Sequence, residues 1–238
     1  LKKYLSILVP SRNRPKNVIR LCDSLFSRSK FPNHIEVLFY FDNDDDYLNE
    51  YPSLLKKYNQ KYPLSIKIEI GPPLILSDYP NKLYKLATSD IFFNLGDDNI
   101  CVKDNWDEII IKSINACPNK MNFVYWNDGH WGKKLATHHC LHRNYVECLG
   151  YFYPPIFDFE EADRWMSEVG FNSNTNYYID EILFSHEHYS KGKSEFDSTY
   201  ERKINSQKEF NNHILYDRTT HYRELDIKKV INKKNNFG

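Results

Sequence analysis

Over the first hundred residues, short β-rich runs alternate with longer polar segments that carry an apolar residue every three or four positions. That rhythm predicts β-α-β units on a mostly parallel sheet. Residues 4–9 are the first expected strand, and residues 10–15 turn the chain. Val18, Leu21, Cys22 and Leu25 then draw the apolar stripe of a helix starting near Pro15, a residue suited to a first helical turn. Residues 35–41 and 64–70 are expected as the second and third strands, with a helix over 48–62 between them that has Pro52 near its start. Gly71-Pro72-Pro73 ends the third strand, residues 79–87 form a short helix, and 91–95 is a buried strand running straight into Gly96-Asp97-Asp98-Asn99.

Beyond residue 100 the pattern changes to a helix over 106–115, a strand over 122–126 and a mixed region rich in Trp, Tyr and His. Residues 198–234 are polar with sparse apolar positions, which predicts helices packed by one face. No internal repeat, low-complexity tract or Gly/Ser linker marks a boundary, so one domain over 1–238 is expected.

Composition narrows the class. With 41% hydrophobic and 16% aromatic residues the chain can fill a core, and 32 basic against 32 acidic residues leave no field to attract nucleic acid or an anionic membrane. Five cysteines without C-x-x-C spacing argue against a disulfide framework or a cysteine zinc site. The longest apolar runs fall far short of the roughly 20 residues that span a bilayer, and no signal-peptide pattern opens the chain. A cytoplasmic location, in a bacterium or a virus-infected host cell, is the expectation; the start at Leu1 reads as a trimmed beginning.

Carboxylates thus stand at the carboxyl ends of two expected strands, where open α/β sheets place their ligands. A divalent cation on one or two carboxylates neutralises charge developing on a departing diphosphate, and Asp97 and Asp98 are placed to hold one. In Asp42-Asn43-Asp44-Asp45-Asp46, Asp42 lies nearest the strand end and suits a nucleobase N–H or a ribose hydroxyl; Asp44 to Asp46 suit the start of the next helix.

Ser6-Ile7-Leu8-Val9-Pro10-Ser11-Arg12-Asn13-Arg14-Pro15 resembles the opening of family 2 type glycosyltransferases, in which a first strand ends in a Pro-x-x-x-Arg/Asn turn lining the nucleotide pocket. Phe41-Asp42, Asn81-Lys82 and Leu95-Gly96-Asp97-Asp98 extend the likeness through the N-terminal half. The resemblance implies an α/β, Rossmann-like GT-A fold: a mostly parallel sheet flanked by helices, with C-terminal helices appended. It also implies a nucleotide-diphosphate sugar as donor, Mn²⁺ or Mg²⁺ as cofactor, and a glycan, lipid or other hydroxyl as acceptor. Pro10, Arg12, Asp42, Asn81, Lys82 and Asp97 are then expected at the donor. The nucleotide-binding half would span about 1–105, an acceptor and metal-completing half about 106–200, and a helical extension about 198–238.

The later half resembles a narrower group of predicted glycosyltransferases common in phages and bacteria. Its pattern is supplied here by Gly96-Asp97-Asp98, Trp106-Asp107, Asn127-Asp128, Thr137-His138, Leu149-Gly150, His186-Glu187-His188, Gly192-Lys193, Asp197 and Tyr200. Family 2 usually carries Asp-x-Asp, whereas this chain has adjacent Asp97 and Asp98 followed by Asn99. Asp98 is favoured as metal ligand and Asp97 as ribose partner, with the reverse open.

Neutral imidazole suits a further metal position. A late histidine often completes the metal shell in GT-A folds, so His188 is favoured and His186 is second, with Lys193 nearby to grip the diphosphate. By the same resemblance Asp163, in an acidic segment with Glu160 and Glu161, is the expected general base of an inverting transfer. Trp126, Trp131, Tyr151, Tyr153 and Trp165 are candidates to stack on an acceptor sugar.

Two other functions are weighed against this one. A nucleotidyltransferase on a similar sheet would normally carry a glycine-rich phosphate loop after its first strand, and Ser11-Arg12-Asn13-Arg14 has no glycine. A noncatalytic carbohydrate-binding or capsid-associated module would bind neither metal nor nucleotide.

Overall fold

The computed structural model describes residues 2–187, 196–209 and 211–236. Its first half runs β1 (Leu5–Ser11), α1 (Pro15–Arg28), β2 (Ile35–Asp42), α2 (Tyr51–Lys61), β3 (Ile66–Gly71), α3 (Asp78–Leu86) and β4 (Ile91–Asn94). The four strands pair in parallel in the order β3-β2-β1-β4. Parallel neighbours need crossover connections, and each of the three helices supplies one.

The second half adds β5 (Asn99–Cys101), α4 (Trp106–Asn115), β6 (Phe123–Trp126), β7 (His139–His142), α5 (Arg143–Leu149), α6 (Ala162–Asn172), β8 (Asn176–Ile179) and β9 (Phe184–His186). It ends in α7 (Ser198–Glu209), α8 (Asn212–Arg218) and α9 (Thr220–Asn235). Strand β7 joins β4 and β6 antiparallel, and β8 joins β6 in parallel, completing a seven-stranded, mostly parallel sheet. Strands β5 and β9 form a separate antiparallel ribbon.

Side chains alternate across each strand, so the sheet carries a core on each face. Leu5, Ile7 and Val9 of β1 pack with α1, α2 and α4, while Leu8 faces the core built with α3, α5, α6 and α9. Ser6 shares the face of Leu8 and meets Glu36, fully buried in β2. This charge is tolerated because it is paired and hydrogen-bonded: Ser6 Oγ donates at 2.6 Å, Thr88 N–H at 2.6 Å, Thr88 Oγ1 at 2.9 Å, and Lys67 Nζ lies 2.8 Å away.

The expected helix over 48–62 begins only at Tyr51, with Pro52 in its first turn. Asp45 is drawn inward instead of capping it: its carboxylate accepts from Asn13 N–H at 2.8 Å, Tyr47 N–H at 2.7 Å and the Tyr51 hydroxyl at 2.9 Å, which holds residues 45–50 as turns. The expected strand over 64–70 starts at Ile66, because Leu64 sits at φ +57° and breaks extended geometry.

Helix α9 is packed by one face, but that face is largely polar. Its buried residues are Arg223, Asp226 and Val230. Asp226 accepts from the Tyr151 hydroxyl and from Trp165 Nε1 at 3.3 Å, while Arg223 bonds Glu168 at 3.0 Å and the Tyr216 carbonyl at 2.6 Å. Among the described residues no helix is long and apolar enough to cross a membrane.

Candidate active site

The carboxyl ends of β1, β2 and β4 open into a cleft of about 290 Å³. Pro10 and Ser11 come from β1, Asp42 from β2, and Asn94, Gly96, Asp97 and Asp98 from β4 and the turn after it. Gly96 is there because the turn leaves no room for a side chain: a Cβ would lie 2.6 Å from Asp98 Oδ1. The β-strand thus delivers two adjacent carboxylates to the sheet edge on a tight, rigid turn.

The two carboxylates have different surroundings. Asp97 accepts from Ser11 Oγ at 2.6 Å and from Arg14 Nη1 at 3.0 Å. Burial pushes its carboxyl up to about 6, against the pull of Arg14 and with help from neighbouring Asp98. Asp98 accepts from the Tyr200 hydroxyl at 3.1 Å and sits 3.1 Å from His186 Nε2. Burial opposes ionisation here too, but the hydrogen bond and charge of His186, then Arg14, outweigh it and hold Asp98 below the usual carboxylate range.

His186 reaches Asp98 through the small ribbon. Asn99 pairs with His186 in the β5–β9 register, and Glu187 N–H donates to the Asp98 carbonyl at 2.8 Å. His138, just before β7, lines the same cleft with its ring centroid 5.8 Å from that of His186.

A further wall comes from the start of α7. Asp197 takes a bidentate pair from Arg14, Nε at 2.7 Å and Nη2 at 2.8 Å, and the Arg14 guanidinium lies 4.3 Å above the Tyr200 ring. Thr199 Oγ1 donates to the Arg12 carbonyl at 3.0 Å, and Arg202 Nη1 donates to Asp42 Oδ2 at 2.6 Å. The other oxygen of Asp42 accepts from the Tyr79 hydroxyl at 2.7 Å.

Of the residues expected from sequence, Pro10, Arg12, Asp42, Asp97, Asp98, Asp163 and His186 all line this cleft. Arg12 also pairs with Asp44, at 3.0 Å for each of two bonds. Asn81 and Lys82 are not brought to it. The Asn81 amide clamps a neighbouring segment, donating to the Tyr153 carbonyl at 2.7 Å and accepting from Phe152 N–H at 2.7 Å and Tyr153 N–H at 3.1 Å. Lys82, one position on, is carried by the turn of α3 toward β3, where it meets Glu69 at 3.2 Å and lies over the Tyr40 ring. His188 and Lys193 fall outside the described residues.

Asp163 stands in the first turn of α6. Glu161 turns to Arg164 and His213. Of the aromatic candidates, Trp126 and Trp165 are core, Tyr153 is buried but reaches the cleft, the Tyr151 hydroxyl serves Asp226, and Trp131 is exposed. Sequence reasoning gave no role to Ser11, Arg14, His138 or Arg202. The Ser11-Arg12-Asn13-Arg14 turn was the available signal for the first two and the Thr137-His138 pair for the third; nothing local marks Arg202.

Among the described residues no group of three His, Cys, Asp or Glu side chains is arranged to hold a metal ion. The convergent Asp98 carboxylate and His186 imidazole form a two-donor set, which fits a hard divalent cation that takes its remaining ligands from phosphate oxygens and water.

Residues 6–185 match the sequence profile of Glycosyl transferase family 2. Among solved structures, S. aureus TarS 1–349 in complex with UDP is similar at a TM-score of 0.60 and 14% identity, over 76% of this chain and 60% of that one. The same protein in complex with UDP-GlcNAc gives 0.58 at 15% identity, over 76% and 58%. The mannosyltransferase PcManGT from Pyrobaculum calidifontis, in complex with GDP-Man and Mn²⁺, gives 0.52 at 14% identity, over 78% and 57%. At these identities the likeness shows the GT-A fold, and the matched part spans no more than 60% of each of those chains. No curated protein matches the sequence.

Proposed function

We propose that this chain, which belongs to glycosyl transferase family 2, moves a hexose or related sugar from a nucleoside-diphosphate sugar to a hydroxyl acceptor on a glycan, lipid or other molecule, with inversion. The observation that carries the reading is the meeting of Asp97, Asp98, His186 and Arg14 where β1, β2 and β4 end in one cleft. The solved relatives that hold UDP, UDP-GlcNAc and GDP-Man with Mn²⁺ support the donor class.

In this reading Asp42 receives an N–H of the base or a ribose hydroxyl between the apolar surfaces of Pro10 and Leu74. Asp97, fixed by Ser11 and Arg14, orients the ribose and keeps the turn rigid. Asp98 and His186 would hold the Mn²⁺ or Mg²⁺, which when bound supplies positive charge to the diphosphate. Arg14 adds a second positive charge close by, and its planar guanidinium suits phosphate oxygens. Asp163, on the α6 wall, takes the proton of the acceptor hydroxyl as that oxygen attacks the anomeric carbon and the bond to the diphosphate breaks.

A thermal-shift panel of UDP, GDP, dTDP, CDP and ADP, each with and without Mn²⁺, tests the reading. A nucleotide present at ~100 times its dissociation constant adds about 2.7 kcal/mol of stability. The expected result is stabilisation by at least one of them that is larger with Mn²⁺. Stabilisation by none, at millimolar nucleotide with Mn²⁺, would remove the reading.

A further inference from the structure

The α7 turn makes two contacts that the site as proposed above does not need. Arg202 Nη1 lies 2.6 Å from Asp42 Oδ2, and the Tyr200 hydroxyl donates to Asp98 Oδ2 at 3.1 Å. Asp42 ends β2 and Asp98 lies in the turn after β4, yet both are closed by side chains two positions apart on one helix. Both helix residues lie beyond residues 6–185, the part that matches the family profile.

Both acceptors are nearly sealed: the side chain of Asp42 is 3% exposed and that of Asp98 is 10% exposed. A buried carboxylate without a partner carries a large desolvation cost. In the structure the α7 side chains meet that cost. Asp42 receives the Tyr79 hydroxyl on one oxygen and Arg202 on the other, so an incoming N–H or hydroxyl competes directly with the guanidinium. At Asp98 the Tyr200 hydroxyl uses a lone pair on Oδ2, the oxygen that also faces His186 and that a cation would use.

The turn is also held by Asp197 on Arg14 and Thr199 on the Arg12 carbonyl, contacts that involve neither Asp42 nor Asp98. These can persist while Arg202 and Tyr200 let go, because a change of side-chain rotamer at 200 and 202 does not require the helix to leave.

We propose that Arg202 and Tyr200 are internal competitors of the donor: their side chains occupy Asp42 and Asp98, and nucleotide and cation bind by displacing them. The inference rests on the donor-site reading above. It makes a prediction of unusual sign, since removing a residue that lines the cleft strengthens binding. The affinity of a site that is self-occupied most of the time is reduced by the fraction in which it is open.

The test is isothermal titration with the nucleoside diphosphate that stabilises the wild-type chain most, in the presence of Mn²⁺. Arg202→Met keeps the aliphatic stem and removes the charge; its dissociation constant should fall about two- to five-fold, the scale of losing one partly exposed ion pair that competes. Tyr200→Phe keeps the ring beneath Arg14 and removes only the hydroxyl; it should lower the Mn²⁺ concentration needed for half-maximal nucleotide binding by a few fold. As a measurement independent of either variant, the NMR signals of the Arg202 guanidinium in the wild-type chain should lose their ion-paired, exchange-protected character when nucleotide and Mn²⁺ are added.

Weaker or unchanged nucleotide binding by Arg202→Met, or an Arg202 guanidinium that stays ion-paired and protected on adding ligand, would overturn the proposal and make these residues part of the donor's own contacts. If neither the wild-type chain nor Arg202→Met binds any nucleotide, the donor-site reading itself fails, and this inference fails with it.

Discussion

The strand-end wall of the cleft and the C-terminal helices, of which α7 also walls the cleft, are held by different physics. β1, β2 and β4 are anchored by fully buried apolar side chains, and the polar residues they give to the cleft appear where the strands stop. Helices α7 and α9 dock through charges and hydrogen bonds: Arg14 with Asp197, Arg202 with Asp42, Arg223 with Glu168, and Asp226 with Tyr151 and Trp165. Apolar burial is non-directional and leaves a periodic trace in sequence. A polar contact is directional, joins residues far apart in the chain and leaves none. The strand-end wall carries Asp42, Asp97 and Asp98, and α7 makes the contacts proposed above to give way to ligands.

The sharpest way to separate the two walls is through chemistry on α6. Asp163→Asn should lower turnover on an accepted acceptor by about 10² to 10⁴ while leaving donor binding nearly unchanged, since this carboxylate is assigned to the acceptor proton. Turnover and donor affinity measured side by side check it. Near-normal turnover would take the base role from Asp163, and a parallel loss of donor binding would put α6 on the donor side.

A smaller effect tests the polar docking of α9. Asp226→Ala leaves the Tyr151 hydroxyl and the Trp165 N–H buried without their acceptor, at about 1–3 kcal/mol for each. Urea unfolding should show a loss of about 2–6 kcal/mol for the two together. If α9 were held as the strands are, by apolar contact, the change would be close to neutral.

The smallest effect lies within β2, at Glu36. Burial of Glu36 favours its neutral form, but bonds from Lys67, Ser6 and Thr88 more than compensate and leave its carboxyl below the ordinary 4.5. A carboxylate whose folded value is depressed stabilises the fold above its unfolded value and loses that contribution as pH falls through the folded one. Glu36→Gln should therefore cost about 1–3 kcal/mol at neutral pH. The gap from wild type should narrow below pH ~4.5. A gap that stayed constant down to pH 3 would mean that shape, and not charge, holds this position.

What could be read from the sequence follows the same division. The expected α4 helix over 106–115 matches Trp106–Asn115 at both ends, and β1, β2 and β4 lie within two residues of expectation, because each is an apolar run with clear stops. Asp42, Asp97 and Asp98 were legible as carboxylates at strand ends. Asn81 and Lys82 were expected at the donor from family likeness alone, and the rotation of α3 sends one to the 152–153 backbone and the other to Glu69. The α2 start was misplaced because Asp45 binds inward. Arg202 escaped notice because its partner lies 160 residues earlier, and no periodicity records such a pairing.

The central claim is that a nucleotide binds at these strand ends with a cation held by Asp98. Isothermal titration of the wild-type chain and of Asp98→Asn, each with and without Mn²⁺, addresses it most directly. The account predicts that Mn²⁺ tightens nucleotide binding in the wild type, and that Asp98→Asn, folded to the same thermal midpoint within a few degrees, loses that Mn²⁺ dependence. The same Mn²⁺ dependence in both proteins would contradict it.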